Sequence, residues 1–266
     1  MVEVYRAYLS VTTVNKHKRL KNRTASAVLA NRHNAGNRQM VKAFFKQLCI
    51  SEREWQLHTN IDIVYPLIVK GFLPVGYVVE DKDCITYLDE INSERENYNE
   101  FILVTIEFTS LMKPKIAYYA NTSSSPPVSL SPGIYAFGNS VEREKPWPKE
   151  SKLKDMFTEV VKKYPSVSTK QTLVDELLKL LQNGTRYTVD DNMKRQGKSK
   201  SSTFLEKLSA IFVNIPESNY GSRCHTIVLI DGSGNVDYTE CTRSENLQQE
   251  DHNEWHKNHH IFKLDD

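Results

Sequence analysis

Thr226-Ile227-Val228-Leu229-Ile230, Asp231-Gly232-Ser233-Gly234-Asn235 and Val236-Asp237-Tyr238-Thr239-Glu240 follow one another as a strand, a turn and a strand. The two flanking runs are rich in β-branched and aromatic residues, which suit a pleated surface. The segment between them collects the residues that reverse a chain, Asp, Gly, Ser and Asn. A reversal this short joins antiparallel strands. Together with several other short strands that have helices before and after them, it predicts an α+β layered domain rather than a parallel doubly wound sheet.

Further strands are expected at Phe101–Phe108 and Lys115–Tyr119, both runs rich in apolar and aromatic residues and of buried-sheet type. Residues 4–14 and 24–30 read as strands joined by the basic run Lys16, Lys18, Arg19, Lys21 and Arg23. A helix fits 36–49, and a second, with Pro66 inside it, fits Ile61–Leu73. Ile85, Leu88 and Ile91 form a helical stripe. After Ser168, whose spacing to Gln171 suits a capping box, Leu173, Val174, Leu177, Leu178 and Leu181 mark one apolar face, with Gly184 placed as a left-handed terminator. The polar stretch 185–202 reads as a mobile loop.

Ser131-Pro132-Gly133-Ile134-Tyr135-Ala136-Phe137-Gly138-Asn139-Ser140 reads as a turn and a short strand, followed by the rigid aromatic loop Lys145-Pro146-Trp147-Pro148-Lys149. Asn139 falls at the strand end. There it either completes a turn or offers its amide to a ligand oxygen.

The chain has 266 residues, 39 % of them hydrophobic, enough for a sizeable core. Its 35 basic and 33 acidic residues leave a formal charge of +2, which gives no electrostatic reason for nucleic-acid binding. Cys49, Cys84, Cys224 and Cys241 lack any close spacing and indicate a reducing compartment. No apolar h-region opens the chain and no run is long enough to span a bilayer, so the expected location is cytoplasmic, with mitochondrial or ER/Golgi association as the membrane-linked alternative.

His252, His256, His259 and His260 fit a solvated tail or terminal strand; a helix would place His252 and His256 on one face, but no metal site is expected. Cys224 and His225 are adjacent on a strand and must face opposite sides, so they form no nucleophile–base pair. The phosphate-loop, serine-hydrolase and zincin motifs are absent.

The ordered series Tyr98–Phe101, Tyr118–Asn121, Pro132–Tyr135 through Asn139, Pro146–Lys149, and Tyr220–Arg223 with Thr226 and Asp231 resembles the Transport and Golgi organisation protein two family, of the NRDE group. The likeness runs from about residue 60 to 266, and residues 1–60 diverge within what reads as a single NRDE-like domain. It implies an αββα sandwich of the N-terminal-nucleophile hydrolase type, with a shortened N-terminal part. In that fold a second-position Cys acts with its own amine; this chain has Val2, so no catalytic residue is assigned. The Asn-Arg-Asp-Glu signature is also missing. Asn31-Arg32-His33-Asn34 is either its altered form or, the better fit, the end of a later family strand.

By the same resemblance Asn31, Asn139 and Arg223 are pocket remnants, and the family implies a non-enzymatic trafficking factor in haem transport or mobilisation, with Golgi organisation and secretion as further roles. Haem as cargo makes Tyr135 and His225 candidate iron ligands and Arg223 the candidate propionate partner. Arg223 and Asn139 are expected to line one cleft beside Trp147, and membrane-trafficking proteins are the expected partners. The alternatives are a residual amidohydrolase using Cys224 and an interaction protein that keeps only the fold.

Overall fold

The computed structural model describes residues 6–15, 27–33, 39–47, 72–98, 101–108, 114–140, 142, 144–218, 220–243 and 255–264. Its first half comprises β1 (Arg6–Asn15), β2 (Ala27–His33), β3 (Gln39–Gln47), α1 (Phe72–Val79), α2 (Cys84–Ser93), β4 (Ile102–Phe108), β5 (Lys115–Ala120) and β6 (Val128–Leu130). There follow α3 (Pro148–Lys163), α4 (Lys170–Leu181), α5 (Asp191–Gln196), α6 (Ser202–Leu208), β7 (Asn214–Ile215), β8 (Tyr220–Ile230), β9 (Asn235–Arg243) and β10 (Trp255–Lys263). The fold is mixed α+β, with two antiparallel sheets. The chain divides into two compact units, residues 22–132 and residues 1–21 with 133–265.

In the unit of residues 22–132 the sheet order is β2-β3-β4-β5-β6. One face of β4 and β5, through Leu103, Ala117 and Tyr119, packs against Leu73 and Tyr77 of α1 and Leu88 and Ile91 of α2. Asp83 starts α2 by accepting from the Ile85 and Thr86 amides at 3.0 and 3.1 Å. The buried carboxylate of Glu107 accepts from the Cys84 amide at 3.1 Å, fixing that helix start to β4.

The other sheet runs β1-β8-β9-β10, with β7 pairing the start of β8. The hairpin read from the sequence is present, and its strands extend beyond the expected limits. Asp231 organises the turn: Oδ1 accepts from the Ser233 and Asn235 amides, each at 2.9 Å, and Gly234 takes φ of 80°. Ile227 and Leu229 of β8 pack against the apolar stripe Leu173, Val174, Leu177 and Leu181 of α4. Leu153, Met156, Phe157 and Val160 of α3 join that cluster.

Several sequence expectations change. The helix over 36–49 is the strand β3, paired to β2 on one side and β4 on the other. Its Phe44-Phe45 and Val41 suit either period, and the interior sheet position decides because both rows of backbone groups find partners there. β1 and β2 form as expected, but they belong to different sheets. The helix over Ile61–Leu73 lies largely outside the described residues; α1 begins at Phe72 and carries Pro74 in its first turn, where a missing N–H is tolerated.

Ser166, rather than Ser168, caps the 3₁₀ turn that leads into α4. Gly184 does not terminate that helix: Gln182 closes it by donating to Leu178 at 3.0 Å, and Gly234 is the positive-φ glycine among the described residues. The stretch 185–202 is no plain loop, because Asp190 caps α5 by accepting from Met193 N at 2.8 Å and Met193 is buried beside Trp147 and Leu205. The histidine-rich tail forms the terminal strand β10; His252 lies outside the described residues.

Leu177 is fully buried in the α3–α4–β8 cluster, whereas Lys179 is exposed and pairs with Glu176. Leu177→Ala is expected to remove about 2–5 kcal/mol of unfolding free energy, and Lys179→Ala under about 0.5 kcal/mol. Urea denaturation of both variants measures the difference.

Candidate functional site

Four of the five candidate residues fall in the unit containing β8, on the loop 133–147 and the first half of β8. Asn31 lies in the other unit, where its backbone pairs with Val41; its side chain is outside the described atoms.

The expected strand over Ile134–Phe137 does not form. The ladder partner of β5 is Val128–Leu130, just upstream, which leaves 134–138 without regular structure. Instead Tyr135 and Phe137 stack on each other, ring centroids 6.0 Å apart and planes within 9°, with Tyr135 38 % exposed. Gly133 allows this arrangement, since a Cβ there would stand 3.3 Å from the Tyr135 ring.

Glu150, in the first turn of α3, pins the rest of the loop. Its carboxylate is buried and accepts from Ser140 N and Trp147 N, both at 3.1 Å. Burial raises its pKa, while the Ser140 and Trp147 N–H groups work in the opposite direction. Gly138 is required by this approach, because an added Cβ would fall 1.7 Å from Glu150 Oε1. Gln196 ties Asn139 to Trp147: its amide donates to the Asn139 carbonyl at 3.2 Å and accepts from the Trp147 indole at 2.8 Å. Asn139 is thus bridged to Trp147 through its backbone carbonyl, by a residue that the sequence did not single out. Asn192 adds a second strap, donating to Ser140 Oγ at 3.1 Å and to Lys145 O at 2.9 Å.

Lys149 donates to the Leu208 and Ala210 carbonyls at 2.7 and 3.3 Å, at the end of α6, and lies 5.5 Å from the Trp147 ring centroid. Its stem reaches the surface but its ammonium is enclosed, and desolvation lowers its pKa to about 8 against the opposing pull of Glu150. This is a structural clamp on a helix C-terminus.

A β-bulge shapes the first half of β8. The register steps from Thr12↔Cys224 to Thr13↔Ser222, so Arg223 is the extra residue, and its side chain is exposed. Cys224 and His225 then face opposite sides, as expected. Cys224 Sγ lies 3.8 Å from the hydroxyls of Thr226 and Thr242, while His225 meets Phe212 and Trp255. Burial and Glu240 push the Cys224 thiol up to about 11, so thiolate is scarce at neutral pH, which weighs against the nucleophile reading.

His225 is fully buried, stacked on Trp255 at 4.6 Å and edge-on to Phe212 at 5.9 Å. Neither ring nitrogen has a hydrogen-bond partner. Desolvation lowers its pKa to about 4, so the imidazole is neutral near pH 7. Among the described residues no group of His, Cys, Asp and Glu is arranged to hold a metal ion.

Glu150, Gln196 and Asn192 are the residues that the sequence reading missed. A signal for Glu150 existed: Pro148 and Glu150 occupy positions N1 and N3 of α3 and predict a helix start. Gln196 and Asn192 carry no such mark, since their partners lie about 50 residues away and are reached only through packing.

Fold and site together define a mixed α+β protein with a pinned aromatic loop and a bulged strand in the same unit. The family model for Transport and Golgi organisation 2 matches residues 62–245. The Transport and Golgi organization protein 2 homologs of Bos taurus and Homo sapiens are each 30% identical over 195 residues, which is 73% of this chain and 68% of theirs. The Drosophila melanogaster protein of that name is 28% identical over 194 residues, 71% of this chain and 65% of its own. The chain belongs to the Transport and Golgi organisation 2 family, as the resemblance in its motifs indicated.

Two predictions follow from this geometry. The unfolded chain takes up a proton on His225 near pH 6.5, which the folded chain refuses until about pH 4, so stability falls as pH drops through that window. His225→Phe is expected to flatten this acid limb, by up to about 3 kcal/mol, in denaturation series run at stepped pH. Glu150→Gln is expected to cost about 1–3 kcal/mol and to accelerate hydrogen exchange at the Ser140 and Trp147 amides.

Proposed function

We propose that this protein is a non-enzymatic trafficking factor that carries or mobilises haem and contributes to Golgi organisation and secretion. Membership of a family named for transport and Golgi organisation supports the trafficking part of this reading, and haem as cargo is taken from the family resemblance. In the same reading the whole chain is one NRDE-like domain of the αββα N-terminal-nucleophile type. Each unit, taken by itself, is an antiparallel sheet with helices packed on one face, which is compatible with this reading. The protonated Cys224 thiol supports a binding role over turnover. No helix among the described residues is long and apolar enough to cross a membrane.

For haem as cargo, the stacked Tyr135 and Phe137 provide a planar apolar surface, and the Tyr135 phenol is a candidate iron ligand. Arg223, exposed on its bulge, is the candidate for a propionate, with Asn139 as the neutral donor of the same proposed cleft. His225 could reach iron only if Trp255 moved from its ring. Asn31 is kept as a candidate by family likeness alone.

Haem titration of the full chain, followed at the Soret band, tests the reading. The expected result is saturable binding, weakened by roughly tenfold or more in Arg223→Ala at an unchanged melting temperature, and a shifted band in Tyr135→Phe. A featureless titration would remove direct haem carriage.

A further inference from the structure

β10 is the outer strand of its sheet: among the described residues it pairs only with β9. Its register runs without a bulge from Trp255↔Arg243 to Lys263↔Asn235. Outer strands normally avoid pairing by being short, bulged or interrupted by proline, or by carrying charged side chains, lysine above all. β6, at the edge of the other sheet, has 3 residues, whereas β10 has 9 and no proline.

What β10 does carry is positive and titratable side chains. Lys257, Lys263, His256, His259 and His260 are all exposed, Ile261 is 64 % exposed, and the strand contains no Asp or Glu. The nearest buried carboxylate, Asp237 on β9, is already engaged by Lys170 at 2.7 Å and His259 at 2.8 Å. The strand is nevertheless firmly held. Trp255 stacks on buried His225 at one end, and at the other Leu264 is buried and donates its N–H to Gly234 O at 2.8 Å.

We propose that the outer edge of β10 is a docking site for an acidic, extended segment of a partner protein, which adds to the sheet as a further strand. Main-chain hydrogen bonds from the outer edge supply the attachment, and Lys257 and Lys263 select the charge. The same side chains oppose pairing of β10 with a second copy of itself, since both strands would be basic. The site lies away from the Tyr135 loop and Arg223 in sequence and does not depend on haem binding.

The probe is a fluorescein-labelled peptide of about nine residues alternating Glu with Val or Thr, titrated against the full chain by fluorescence anisotropy. Saturable binding is expected, together with hydrogen-exchange protection of the β10 amides. A central proline in the peptide should abolish it, and the double variant Lys257→Glu, Lys263→Glu should weaken it roughly tenfold or more with an unchanged melting curve. The complex should also loosen when ionic strength rises from about 0.05 M to about 0.3 M. Absence of saturation overturns the proposal, and so does equal binding of the proline peptide, which would show charge attraction without strand addition. Self-association in sedimentation, with β10 protected and no peptide present, would assign the edge to a second copy instead.

Discussion

The ladder of β8 is the constraint on which the rest of its unit depends. From His225 to Ile230 every residue is buried, so the backbone groups of this run have no recourse to water and must pair along the sheet. They do so with β1 on one side and β9 on the other. The β9 partner is a neighbour in sequence. The β1 partner comes from the opposite end of the chain, with Arg6 opposite Ile230, and its docking closes a loop that contains the whole of the other unit. The register of that pairing also sets the surface: β8 carries one extra residue at Arg223, whose side chain is exposed.

A second level of order comes from side chains that satisfy backbone groups. Glu150 accepts from two loop amides, Gln196 joins Asn139 to Trp147, and Lys149 closes the carbonyl end of α6. Each is a polar group taken from water, so each would be costly without its partners. Their combined effect is a loop that has no ladder of its own and yet has a defined path. A binding surface built on such a segment keeps its shape without the ligand, which reduces the ordering cost of association.

His225 departs from this rule. Its neutral ring is enclosed by Trp255 and Phe212 with both nitrogens unpartnered, so the gain is aromatic stacking and apolar packing, and the loss is two unmade hydrogen bonds. The stack also anchors the start of β10, linking a buried core position to an exposed outer strand.

The sequence alone determined the elements whose pattern is local. The β8–β9 hairpin follows from its turn residues, α2 and α4 from apolar stripes at helical spacing, and β4 and β5 from runs rich in apolar and aromatic residues. The opposite orientation of Cys224 and His225 follows from the period of a strand. Only tertiary structure decided β3, where Gln39–Gln47 has a pattern open to both periods and takes the strand because β2 and β4 flank it. The same holds for the strand lost at Ile134–Phe137, where Val128–Leu130 occupied the available edge of β5. Glu150 left a readable cap signal, but Gln196 did not, because the atoms it joins belong to segments brought together only by the collapse of Met193 and Trp147 into one cluster. Local periodicity reports which face of an element is apolar; which surface it meets is settled by burial of that face against distant partners.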